Sequence, residues 1–228
     1  MGPAFAAFGP RGFAPLPGAN RWWAGNAETL SYDDPAVGHP MIVAIRRLFT
    51  PEQCALLVEA ARRLPARQDD NHFLDQRVQT PDQLPEPEHR VCALMQQARL
   101  LIQLELIGKL RPPRRLWGDT SQLVRWEEGQ YLDAHTDNLE PDGSPNQTPH
   151  RAASAVVYLN DDYEGGETFF PGLGFRVRPE AGLAIAFGAG ASHVHGVTRL
   201  RRGRRYMMAT WFTMEPAKRD PAQGRVFG

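Results

Sequence analysis

His135, Thr136 and Asp137 set an imidazole and a carboxylate two positions apart. In an extended segment side chains alternate between faces, so both would project the same way and converge on one point. Two further histidines, His193 and His195, stand at the edge of another β-prone stretch, and either could supply a second imidazole. Two histidines and a carboxylate on one face of a metal leave other coordination positions open, the arrangement suited to non-haem Fe(II) and oxygen chemistry. An HxD pair alone is a weak metal signal; the downstream residues strengthen it. Arg205 follows His195 by ten residues across a turn read at Arg199 to Gly203, which would put the two on neighbouring antiparallel strands facing one cavity. A guanidinium held there would bind a carboxylate through two parallel hydrogen bonds. The other arginines of that run read as a solvated turn.

These side chains need a scaffold, and the pattern along the chain supplies one. Residues 1–40 are rich in Gly and Pro and carry Phe5, Phe8, Phe13, Trp22 and Trp23; they read as an irregular arm without a regular element. Ile42 to Ile45 read as a short strand. Thr50-Pro51-Glu52-Gln53 has a capping residue, a proline at the first helical position and a capping-box glutamine, predicting a helix through about Arg63. A second helix is expected from about Pro87 to Leu110, with Val91, Leu94, Met95, Ala98, Leu101 and Ile102 on its buried face. Gln68 to Pro85, between the helices, reads as a loop. After Pro112 and Pro113 the period shortens to that of strands, at Gln122–Arg125, Ala152–Asn160, Thr168–Phe170, Phe175–Arg178, Leu183–Phe187 and Tyr206–Thr213. Helices first and strands afterwards predict an α+β chain whose C-terminal half is an antiparallel sandwich or jelly roll.

Composition narrows the function classes. The 228 residues carry 26 Lys+Arg against 26 Asp+Glu and are 42% hydrophobic, enough for one domain with a real core. Balanced charge argues against a dedicated nucleic-acid or anionic-membrane partner, which rewards a single-signed field. No run approaches the roughly 18 apolar residues of a membrane span, and the start lacks a secretory pattern, so a cytoplasmic location is expected. Cys54 and Cys92 lie in apolar helical contexts and read as two buried thiols, not a disulfide framework.

Several segments, in order, carry a family likeness. They are Trp126-Glu127-Glu128-Gly129-Gln130-Tyr131, His135-Thr136-Asp137, Val157-Tyr158-Leu159-Asn160, Glu164-Gly165-Gly166-Glu167-Thr168-Phe169-Phe170-Pro171, His195 with Gly203 and Arg205, and Trp211-Phe212. With them the chain resembles the Fe(II)- and 2-oxoglutarate-dependent dioxygenases, most closely the prolyl 4-hydroxylase-like branch. The resemblance implies a double-stranded β-helix (jelly roll) with supporting N-terminal helices: an arm at 1–40, then a single oxygenase domain at 41–228, its helices at about 50–110 and its core at about 120–214. It implies His135, Asp137 and His195 as iron ligands and catalytic centre, and Arg205 as holder of the distal carboxylate of 2-oxoglutarate. Tyr158, Thr168, Trp211 and Trp126 match positions around that cosubstrate, although relatives usually carry a tyrosine where this chain has Trp126. The spacing to Gly203 and Arg205 favours His195 over His193.

The implied cofactors are Fe(II), 2-oxoglutarate and O2, with ascorbate as a further candidate. The implied reaction inserts oxygen into an unactivated C–H bond of a prolyl or other amino-acid-like substrate, free or peptidyl, releasing succinate and CO2. The polar loop from Asn138 to His150 should border the cavity mouth, making Asn138 and Arg151 candidate substrate contacts. One alternative is a small-molecule tailoring hydroxylase of the same mechanism. Another is a non-catalytic metal-binding jelly roll, which would leave Arg205 without a purpose and would make metal loss unfold the chain.

Overall fold

The computed structural model describes residues 29–31, 42–63, 78–79 and 89–221. In chain order these form β1 (Thr29–Ser31), β2 (Val43–Ile45), α1 (Pro51–Arg62), β3 (Val78–Gln79), α2 (His89–Leu110), β4 (Trp117–Trp126), β5 (Leu132–His135), β6 (Arg151–Tyr158), β7 (Glu164–Gly165), β8 (Thr168–Phe170), β9 (Phe175–Arg176), β10 (Ala184–Gly188), β11 (His195–Val197), β12 (Leu200–Arg202) and β13 (Arg205–Thr213). Among the described residues the larger sheet runs β1-β2-β10-β6-β13-β4-β3 and the smaller β5-β11-β8-β9, while β12 and β7 form a separate pair. All pairings are antiparallel. This is the expected α+β jelly roll, with helices on one side.

The helices form where local chemistry directs them. The Thr50 hydroxyl accepts from the Gln53 backbone N–H, and the Gln53 side chain accepts from that of Thr50, closing a capping box ahead of Pro51. On α2, Val91, Leu94, Met95, Ala98 and Ile102 are buried against the large sheet, but Leu101 is 50% exposed. Leu94 sits at the edge of the apolar stripe, and seven residues later the helix has drifted outward by about 20° more. Arg99 is buried within α2, where it donates to Asp220 at 2.6 Å and to the Asp119 carbonyl at 3.0 Å, tying the helix to β4 and the C-terminal segment.

Alternation divides the large sheet between two tasks. Ala155 and Val157 of β6, Ala184 and Ala186 of β10, and Met208 of β13 face the helices, and the small alanines let α1 and α2 approach closely. Their neighbours Val156, Tyr158, Ile185, Phe187 and Met207 face the small sheet. The interior between the sheets is therefore lined from both sides.

Besides Leu101, four sequence expectations change. The arm at 1–40 contributes a strand, because β1 pairs with β2 from Thr29↔Ile45 to Ser31↔Val43; its remainder lies outside the described residues. The loop at 68–85 contains β3, held by β4 at Val78↔Val124, and the rest of it is likewise outside. Cys54 is buried but Cys92 only partly. Finally, His195 and Arg205 are not on neighbouring strands: β11 belongs to the small sheet and β13 to the large one. Residues 198–204 do not close a hairpin; β12 diverts to pair with β7, carrying the chain from one sheet to the other.

Candidate active site

The small sheet brings two histidines face to face. His135 at the end of β5 and His195 at the start of β11 are direct cross-strand partners, and their ring centroids lie 4.5 Å apart. Asp137, two residues beyond His135, turns back under the same pair: its backbone N–H donates to the Ala189 carbonyl at 3.0 Å and its own carbonyl accepts from the Thr148 hydroxyl at 2.8 Å. One ligand atom from each of His135, Asp137 and His195 lies within 4.8 Å of the others. Nε2 of His135 is 3.8 Å from Asp137 Oδ1, and Nε2 of His195 is 3.7 Å from Oδ2.

Both imidazoles are oriented the same way. His135 Nδ1 contacts the Asp133 carbonyl at 2.9 Å and His195 Nδ1 the His193 carbonyl at 3.0 Å. A carbonyl oxygen only accepts, so each Nδ1 donates its proton there and each Nε2 is turned towards the centre. Burial pulls the His195 pKa down to about 4, with Asp137 opposing and His135 adding to the depression. Phe187 and Phe170, 4.7 and 5.9 Å from it between centroids, form the apolar walls. A neutral, oriented imidazole beside a carboxylate is a donor set for a divalent transition metal.

Two further residues position the ligands: Ser154, which carries no motif in the sequence, and His193, which serves in another role than the ligand the sequence offered. Ser154 of β6 donates a short hydrogen bond to Asp137 Oδ2, fixing the carboxylate. The available signal was parity, since Ser154 shares a face with Val156 and Tyr158, a polar residue on an otherwise apolar strand face. His193 contributes through its backbone: its ring stacks at 6.2 Å on Phe187 while its carbonyl steers His195.

A second group faces this one from the large sheet. Arg205 is wholly buried at the start of β13, its Cζ 5.3 Å from the Trp126 ring and 5.4 Å from the Tyr158 ring. Its Nη2 reaches the Thr168 hydroxyl at 3.4 Å, which also accepts from the Tyr158 hydroxyl at 2.7 Å. Thr168 is the cross-strand partner of Val197, two residues from His195, so the guanidinium spans the interior towards the histidine sheet. Nε and Nη1 of Arg205 have no hydrogen-bond partner among the described residues. A buried cation with idle donors is costly unless an anion completes it.

Trp211 lies six residues along β13 from Arg205, about 20 Å in an extended strand, and so is apart from this group. It pairs with Ser154 and lies beneath Arg151, whose Cζ is 3.9 Å from its ring. Burial lowers the Arg151 pKa, against the pull of Asp137 and Asp119. Asn138 donates to the Arg151 carbonyl at 3.0 Å, and its own Oδ1 is buried with no hydrogen-bond partner among the described residues. The remaining arginines of the basic run are exposed, Arg202 paired with Glu164 and Arg204 with Glu127.

Residues 121–213 match the family model described as the 2OG-Fe(II) oxygenase superfamily. Human prolyl 3-hydroxylase 3 is 36% identical over 113 residues, covering 42% of this chain and 15% of its own length; rat prolyl 3-hydroxylase 1 is 39% identical over 80 residues, or 32% and 11%. This chain thus spans about 15% of the length of the curated relatives it matches. Among solved structures, a viral collagen prolyl hydroxylase from Paramecium bursaria Chlorella virus-1 in complex with 2OG superposes with a TM-score of 0.59 at 20% identity, over 76% of this chain and 96% of that one. A Pseudomonas putida prolyl-4-hydroxylase superposes with a TM-score of 0.53 at 23% identity, over 80% and 96%. At these identities the likeness is one of fold.

Proposed function

We propose that the chain, whose residues 121–213 match the 2OG-Fe(II) oxygenase superfamily model, hydroxylates a prolyl residue with 2-oxoglutarate as cosubstrate. The observation that carries this reading is the pairing of two half-sites across one interior. Three convergent metal-type ligand atoms stand on one side, and a buried guanidinium with two idle nitrogens stands on the other.

His135, Asp137 and His195 would hold Fe(II), and their donor set fits that ion while leaving positions open. Bound there, the metal with 2-oxoglutarate and O2 would supply the oxidising power for C–H hydroxylation, with succinate and CO2 as the products of the keto acid. The protein's share is orientation and exclusion of water. The Asp133 and His193 carbonyls hold the imidazoles with Nε2 inward, and Ser154 holds the carboxylate. Arg205 would bind the distal carboxylate of the cosubstrate bidentately, with Thr168 and Tyr158 beside it and Trp126 flanking the guanidinium. Phe170 and Phe187 keep the His195 side dry. Arg151, stacked on Trp211, and Asn138 would contact the substrate at the mouth, where a planar cation suits a backbone carbonyl or carboxylate.

The choice of a prolyl substrate is supported by the relatives, named prolyl 3-hydroxylases by sequence and prolyl hydroxylases by fold. The first test is an anaerobic titration with Fe(II) and 2-oxoglutarate, read by the visible charge-transfer band that forms when a keto acid chelates iron. The band is expected, and it should vanish in His135→Ala. Its absence from folded protein would overturn the reading in favour of a non-catalytic jelly roll. Succinate release with proline-containing peptides against free amino acids, with and without ascorbate, then tests the substrate class. Release with small metabolites alone would mark a tailoring hydroxylase.

A further inference from the structure

Arg205 is not the only buried donor without an acceptor in its pocket. Tyr163, in the segment that leads into β7, packs with Trp126, Val197 and Leu200 between the sheets, and its hydroxyl is buried with no hydrogen-bond partner among the described residues. The two side chains flank one glycine: a Cβ on Gly166 would lie 3.2 Å from Arg205 Cδ and 3.3 Å from Tyr163 Cε2. The Gly203 backbone passes close to the tyrosine, where an added Cβ would come within 3.2 Å of Tyr163 Cβ. Burial pushes the Tyr163 phenol well above its usual range in spite of the Arg205 guanidinium, whose charge and N–H groups beside the phenol oxygen oppose it, so it stays protonated and can donate.

The hydrogen-bond inventory of this pocket is lopsided. The Tyr158 hydroxyl is spent on Thr168, and Trp126 has no hydroxyl to offer. Among the described residues Arg205 Nε, Arg205 Nη1 and the Tyr163 O–H have no acceptor at good hydrogen-bond geometry, although the phenol oxygen stands beside the guanidinium and can itself accept from it. A buried phenol normally finds a partner, and leaving it without one costs stability. A carboxylate has about four lone-pair sites and takes a bidentate guanidinium with capacity left for another donor.

We propose that Tyr163 is a cosubstrate-binding residue, donating its hydroxyl to the same distal carboxylate of 2-oxoglutarate that Arg205 holds. The inference rests on the function proposed above and adds a second anchor to it. Tyr163 supplies, from the Asp162-Tyr163-Glu164 segment, a hydroxyl that Trp126 lacks.

The test uses the full chain loaded with redox-inert Mn(II), with 2-oxoglutarate binding measured by calorimetry in the wild type and in Tyr163→Phe. Oxalate is the control ligand, because it chelates the metal but has no distal carboxylate. The variant is expected to bind 2-oxoglutarate about tenfold more weakly, the loss of one hydrogen bond to a charged group, and to bind oxalate and Mn(II) as the wild type does. Unchanged 2-oxoglutarate affinity would overturn the inference. So would an equal loss for oxalate, which marks a merely structural role. Should the wild type bind oxalate but no 2-oxoglutarate, the proposed function fails and this inference falls with it.

Discussion

Ser154 tests how far the geometry of the centre depends on residues outside its three candidate ligands. Its hydroxyl is the side-chain donor that fixes Asp137 Oδ2, and partners of this kind typically govern metal affinity by ten- to a hundredfold. Ser154→Ala is therefore expected to weaken Mn(II) binding about tenfold while leaving the circular dichroism spectrum unchanged; wild-type affinity would show that Asp137 is held well enough by its backbone bonds. The two neighbouring histidines should behave differently. His193→Ala keeps the carbonyl that orients His195 and should lower metal affinity far less than His195→Ala. At Cys54, burial with help from Asp161 pushes the thiol up to about 11 from an ordinary 9.0. The folded state then holds a proton that the unfolded chain releases, so this contribution to stability is complete below pH 9 and is lost as pH rises towards 11. Thiol alkylation at pH 8 should spare Cys54 in folded protein and modify it once the chain is unfolded in denaturant.

At the scale of elements, the short β7–β12 pair connects the two half-sites. Gly165 lies in it with a φ of +78°, and a Cβ there would fall 2.1 Å from the Arg199 carbonyl oxygen. That neighbour is backbone and cannot rotate away, so Gly165→Ala has to break the pairing. It is expected to cost at least about 2 kcal/mol and to lower the melting temperature by about 5 °C or more, with 2-oxoglutarate binding impaired through displacement of Arg205. An unchanged melting curve would mean that the pair is dispensable. The element boundaries show why some were readable and others not. The capping box at Thr50 and the β8 triplet are local patterns, whereas β4 extends to Trp117 because β13 pairs along it. The two- and three-residue strands β3, β7 and β12 exist only through their partners.

Across the whole molecule, the core forms without reference to the metal. One apolar cluster joins both helices to the large sheet, and two others fill the space between the sheets. Chelation should therefore leave secondary structure intact and lower the melting temperature only by the linkage of binding; unfolding on chelation would indicate a structural metal site instead. What the sequence by itself determined is what short range dictates: the helix start at Thr50, the shift to strand periodicity after Pro113, and an imidazole and a carboxylate two positions apart at His135 and Asp137. Their convergence is completed by the Ala189 and Thr148 contacts that bend the chain beyond β5. Only the tertiary structure decided that Arg205 opposes the histidines from the other sheet, that Ser154 meets Asp137, and that Leu101 is left in solvent. Those contacts join residues that no local period relates, and they follow from which strands pair and how two sheets face each other.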